Sequence, residues 1–73
     1  PKHFPLSFSR SFGMTPHRYL LDLRLDHATR LLSNRDMTIA EVAYLSGFSS
    51  QSHLTAAMRK FRGATPTRFR SSI

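Results

Sequence analysis

Slid against itself by 50 positions, the sequence comes into register with its own beginning. His3 falls on His53, Phe4 on Leu54, Phe8 on Met58, Arg10 on Lys60, Gly13 on Gly63, Thr15 on Thr65, Pro16 on Pro66, Arg18 on Arg68 and Tyr19 on Phe69. Both copies close on Gly-x-Thr-Pro-x-Arg-aromatic. Shared helix punctuation accounts for the Gly and the Pro but not for the whole register, so the chain reads as two copies of one supersecondary unit. A chain of 73 residues is too short to hold both copies whole, because the second includes two helices and a turn ahead of Gly63. The first copy is therefore expected only as a remnant over residues 1–14, with its own first helix lying before Pro1.

Local signals cut the rest into short helices. Gly13 suits a helix stop, Thr15 an N-cap and Pro16 a first helical position, where a missing N–H costs nothing. One long helix then runs to about Leu32, so that residues 15–33 form a linker. Tyr19, Leu20, Leu23, Ala28, Leu31 and Leu32 recur at steps of three and four and are its expected apolar face. After the polar break Ser33-Asn34-Arg35-Asp36, Thr38-Ile39-Ala40-Glu41 spells a capping box. A short helix follows, with Ile39, Val42, Ala43 and Leu45 as inward candidates. Gly47 suits a positive φ in a turn of three or four residues, and Phe48 can plug the space between helices. Ser49 or Ser50 caps the next helix, which runs to Arg62 with Leu54, Met58 and Phe61 inward. Gly63-Ala64-Thr65-Pro66 repeats the stop and start, and residues 65–72 form a last helix holding Phe69. Nothing alternates as a strand would. The expected fold class is all-α: two helix-turn-helix units joined by a long linker helix, the second unit over residues 38–62.

Charge narrows the function. Eleven Lys and Arg oppose four Asp and Glu, a net +7. Residues 1–21 and 46–73 hold no acid at all, whereas residues 22–45 are close to neutral. Two basic ends around a neutral middle suit a polyanion, and arginine, the dominant cation here, fits phosphate and guanine edges through its planar fork. A chain this short buries only about 60% of its unfolded surface, which leaves no room for a deep catalytic cleft. No Ser-His-acid arrangement and no phosphate-binding glycine loop appears, so an enzyme is not expected. Without cysteine, disulfides and thiolate zinc sites are excluded. The four histidines lack metal-ligand spacing, and no metal or cofactor is expected. No apolar run reaches the roughly 20 residues that span a bilayer.

In the second unit, the helix over about 50–62 has the make-up of a recognition helix. Gln51 can bond adenine through both its amide groups, Ser52 and Thr55 can bond several bases, and the methyls of Thr55 or Ala56 can meet thymine. These four are the expected base contacts. Phosphate contacts are expected from Ser50, His53, Arg59, Lys60 and Arg68. If three to five of the cations after residue 45 engage phosphates, log K should fall with log salt at a slope of about −3 to −4.5. A helical protein-interaction module, or a non-specific polyanion or membrane-surface binder, stands as the alternative.

A set of motifs then becomes specific. Arg24-Leu25-x-x-Ala28-x-x-Leu31-Leu32, Ile39-Ala40-Glu41-Val42-Ala43, Gly47-Phe48-Ser49-Ser50-Gln51-Ser52-His53-Leu54 and Gly63-x-x-Pro66-x-x-Phe69-Arg70 together resemble the AraC/XylS family of bacterial transcription regulators. The likeness runs from about Lys2 to Arg70. It implies a DNA-binding domain of two helix-turn-helix units joined by one helix, which the repeat suggests independently. The sequence departs from the family pattern at Ala56 and Leu6, where arginine is common, and at Met58, where an aromatic is usual. By the same resemblance the partner is double-stranded DNA, with RNA polymerase engaged by the full-length regulator. An effector ligand would act only through a separate sensor domain, and the protein would be cytoplasmic and nucleoid-associated.

Overall fold

The computed structural model describes residues 15–73, and the expectations for the remnant over residues 1–14 lie outside the described residues. Four helices follow one another: α1 (Pro16–Leu32), α2 (Ile39–Leu45), α3 (Gln51–Arg62) and α4 (Pro66–Ser71). Among the described residues there is no strand.

Each helix begins where a hydroxyl can replace a missing backbone partner. Thr15, Thr38, Ser50 and Thr65 all hold extended φ/ψ, and each side chain accepts from the N–H three residues on. Pro16 and Pro66 open α1 and α4. At α2 the capping box is complete: Glu41 N–H donates to Thr38 Oγ1 at 3.1 Å, and Thr38 N–H donates to Glu41 Oε1 at 2.8 Å. Such caps contribute about 0.5–2 kcal/mol each.

The exit from α2 is a Schellman turn. Phe48 N–H reaches Ala43 O at 2.9 Å and Gly47 N–H reaches Tyr44 O at 3.3 Å, the two bonds that satisfy orphan carbonyls at a helix end. The motif needs a left-handed residue at Gly47, whose φ is +93°. Phe48 and Ala43, the apolar pair that accompanies this motif, are both buried. Ser46 is buried too, and its hydroxyl donates to Val42 O at 2.6 Å. Residues 46–49 therefore turn the chain tightly before the Ser50 cap.

One core joins three helices and the turn: Leu25, Ala28 and Leu32 from α1, Val42 and Ala43 from α2, Phe48, and Leu54, Ala57 and Met58 from α3. The apolar face expected for α1 needs correction. Leu20 and Leu23 are 43% and 47% exposed, whereas Leu25 is fully buried. The buried line is Leu25, Ala28 and Leu32, extended by half-buried Leu21, at spacings of four and three. Leucines at 20, 21, 23 and 25 cover several sides of the helix, and only the position of α2 and α3 selects one. Leu45 is corrected likewise: it is 53% exposed, because α2 is short and Val42 and Ala43 already fill its contact with the core. Ile39 is half-buried against that core, as are Phe61 and Phe69.

Candidate nucleic-acid interface

With Leu54, Ala57 and Met58 buried, the opposite side of α3 is left to solvent. Gln51, Ser52, Thr55, Ala56 and Arg59 line one shallow hollow on that side. Their spacing of three and four brings them onto one strip. All four residues expected to face bases thus share a surface with Arg59. Thr55 is half-buried and the other four are exposed.

The expected phosphate contacts fall around this strip. A second hollow, at the C-terminal end of α3, is lined by Arg59, Gly63, Ala64, Thr65 and Arg68. Gly63 holds φ +76° and ends α3 in the left-handed conformation, so the chain reverses there and carries Arg68 of α4 back beside Arg59. Lys60 is exposed, its Nζ 5.3 Å from the Phe61 ring centroid. Ser50 spends a lone pair on the helix cap, accepting from His53 N–H at 3.0 Å, and keeps its hydroxyl proton for a further bond. His53 is held by Ser49, whose N–H and Oγ lie 3.3 and 3.0 Å from Nδ1.

Two of the cations counted after residue 45 are committed within the protein. Arg62 pairs with Asp22 Oδ1 at 3.4 Å and Asp26 Oδ1 at 3.2 Å. Arg18 joins the same network, 3.2 Å from Asp22 and with its guanidinium 4.1 Å from the Phe61 ring centroid. This ties the end of α3 to the middle of α1. Arg70 donates to Leu32 O at 2.9 Å and Asn34 O at 3.2 Å, where a cation also meets the negative end of the α1 dipole. The five cations are therefore not interchangeable: Arg59, Lys60 and Arg68 face solvent around the strip, while Arg62 and Arg70 hold helices together. A charge count along the sequence carries no sign of this division, although Asp22 and Asp26, one turn apart, mark α1 as a place for arginine partners. Glu41 is used by the Thr38 cap, as the capping box in the sequence predicts.

Among the described residues no helix is long and apolar enough to cross a membrane, and no group of three His, Asp or Glu side chains is placed to hold a metal ion.

A two-helix unit with a tight glycine turn and an exposed polar strip on its second helix defines the helix-turn-helix class. Comparison with known proteins agrees: residues 1–72 match the family described as "Helix-turn-helix domain". The chain is 44% identical over 66 residues to "Probable transcriptional regulator LumQ" of Photobacterium leiognathi, covering 90% of this chain and 27% of that protein. It is 40% identical over 63 residues to "HTH-type transcriptional regulator ExsA" of Pseudomonas aeruginosa, covering 86% and 23%. With "HTH-type transcriptional activator RhaS" of Yersinia pestis the identity is 36% over 61 residues, covering 84% and 22%. No solved structure matches. The chain belongs to the AraC-type helix-turn-helix family. It spans about a quarter of the length of these curated relatives.

Proposed function

We propose that this chain is a sequence-reading DNA-binding domain of a transcription regulator, with α3 lying in the major groove. The observation that carries the reading is the division of α3: one side packs Leu54, Ala57 and Met58 into the core, and the other presents Gln51, Ser52, Thr55 and Ala56 beside Arg59. A major groove about 12 Å wide admits one helix, and small polar residues let the backbone approach the base edges. Gln51 addresses adenine, Ser52 and Thr55 supply adaptable hydroxyls, and the Thr55 and Ala56 methyls suit thymine. Arg59 and Arg68, together at the end of the strip, and Lys60 beside it take phosphates and fix the register without reading sequence.

In this reading residues 38–62 are one helix-turn-helix unit, residues 65–72 its flanking helix, and residues 15–33 the linker to the other unit, to which residues 1–14 belong. A helix of 17 residues is about 25 Å long, which with helix radii added approaches the ~34 Å turn of B-DNA. Two units would then read successive major-groove segments on one face. A membrane-surface segment would have to expose Leu54 and Met58, which are fully buried.

A protein partner fits a different face. Ala40, Glu41, Tyr44 and Leu45 line a mainly apolar hollow on α2, and Tyr44 is 78% exposed. This surface suits the contact with RNA polymerase that the family resemblance implies for the full-length regulator, with an effector acting through a sensor domain.

Selection of bound duplexes from a random DNA pool by the full-length protein tests the reading. It expects a discrete motif to enrich. Binding that follows salt but selects no motif would reduce the domain to a polyanion binder.

A further inference from the structure

Beside α3, on the flank shared with α1, runs a groove other than the three hollows described above. His17 and Arg24 of α1 and His53 and Lys60 of α3 line it, over a floor that includes Leu21 and Phe61. Helix geometry explains the convergence. His53 and Lys60 are seven residues apart, two turns along one line of α3, while His17, Leu21 and Arg24 follow one line of α1 at spacings of four and three.

Among the described residues no acid lines this groove. Asp22 stands two residues from Arg24, about 200° around the helix, and so faces the other way. Both Asp22 and Asp26 are occupied by Arg18 and Arg62.

Two of the groove's donors are oriented by the fold. Ser49 N–H lies against His53 Nδ1. A backbone N–H can only donate, so Nδ1 accepts and the neutral ring carries its proton on Nε2. The Phe48 ring, 5.1 Å away and nearly perpendicular, fixes the imidazole plane. Arg24 lies across the Gly47 turn, its Nε 3.1 Å from where a Cβ would stand. It has no hydrogen-bond or ion-pair partner among the described residues. The groove thus gathers an arginine fork, a lysine and an imidazole N–H, which are donors that suit an acceptor-only anion.

We propose that this groove is a second phosphate seat, taken by a DNA backbone phosphate other than the one between Arg59 and Arg68. The inference rests on the DNA-binding reading above. It adds that α1 takes part in binding through His17 and Arg24. Continuity supports it: Ala56 borders both the groove and the base-facing strip, and Arg59 borders both the strip and the Arg68 hollow. A helix seated in the major groove has phosphate walls beside it, and this groove lies beside α3 at that edge.

The test uses a selected duplex whose phosphates are replaced one at a time by neutral methylphosphonate. The wild-type full-length protein should lose affinity at two separate sets of phosphates. The His17→Gln/Lys60→Gln variant should lose sensitivity at one set only, and Arg59→Gln/Arg68→Gln at the other. Lys60→Gln alone should make the slope of log K against log salt shallower by about 0.9, and Lys60→Arg should restore it. His17 and Lys60 are exposed, and an unchanged melting temperature confirms that the variant is folded. If the His17→Gln/Lys60→Gln variant keeps the full wild-type pattern, the second seat is refuted while DNA binding stands. If the wild type binds no duplex, the DNA reading fails and the seat with it.

Discussion

Two glycines with positive φ offer an internal control on how the turn is built. Gly47 and Gly63 hold φ of +93° and +76°, where an L-residue costs about 1–2 kcal/mol. They differ in what a side chain would meet. A Cβ at Gly63 has nothing within 4 Å, whereas one at Gly47 lies 3.1 Å from Arg24 Nε and 3.4 Å from Arg24 Cδ. Moving Arg24 off a favourable rotamer adds about 0.5–1.5 kcal/mol. Gly63→Ala should therefore cost about 1–2 kcal/mol and Gly47→Ala about 1.5–3.5 kcal/mol. In a domain of this size that separates their melting temperatures by roughly 2–12 °C. Thermal unfolding followed by circular dichroism measures it, and the decisive comparison repeats Gly47→Ala in an Arg24→Ala background. There the cost should fall towards that of Gly63→Ala, since the contact is removed from both states of the cycle. An equal cost in both backgrounds, or Gly63→Ala as the more damaging change, would refute the argument.

The remaining expectations separate groups that look alike in the sequence. Arg59→Gln should make the slope of log K against log salt shallower by about 0.9, whereas Arg62→Gln should leave the slope unchanged and lower the melting temperature slightly, because its partners are aspartates; a shallower slope for Arg62→Gln would contradict the assignment. Leu25→Ala should cost about 2–5 kcal/mol in chemical denaturation, and Leu23→Ala, at a half-exposed site, well under that; similar costs would overturn the buried face given for α1. Thr38→Ala should cost about 0.5–2 kcal/mol through loss of the capping box, with no effect in the same assay telling against that cap.

Much of this architecture is written locally. Thr15, Thr38 and Thr65 start helices because a hydroxyl and a following N–H are close in sequence. Gly47 and Gly63 end them because a positive φ is a single-residue property. These signals survive without knowledge of the tertiary structure. The strip Gln51, Ser52, Thr55 and Ala56 is legible for the same reason, since helical spacing alone puts those residues together.

What the sequence leaves undecided depends on direction. Leucine is present on several sides of α1, and only the placement of α2 and α3 buries Leu25 while leaving Leu20 and Leu23 half-exposed. Leu45 follows Ala43 and Val42 in an apolar run, yet it projects from a helix too short to enclose it. Arg62 and Arg70 resemble Arg59 and Arg68 in any count of charge. Their commitment to Asp22, Asp26 and the end of α1 requires contacts 36 to 40 residues apart in the chain.

The central claim is that the exposed strip of α3 reads bases and that the cations around it do not. Site selection from random duplexes by Gln51→Ala and Arg59→Ala, side by side with the wild type, addresses it most directly. Gln51→Ala should relax preference at one or two base pairs, by about 1–3 kcal/mol each, and leave the rest of the motif intact. Arg59→Ala should retain the motif and bind every sequence more weakly. An unchanged motif for Gln51→Ala together with an altered one for Arg59→Ala would contradict the account.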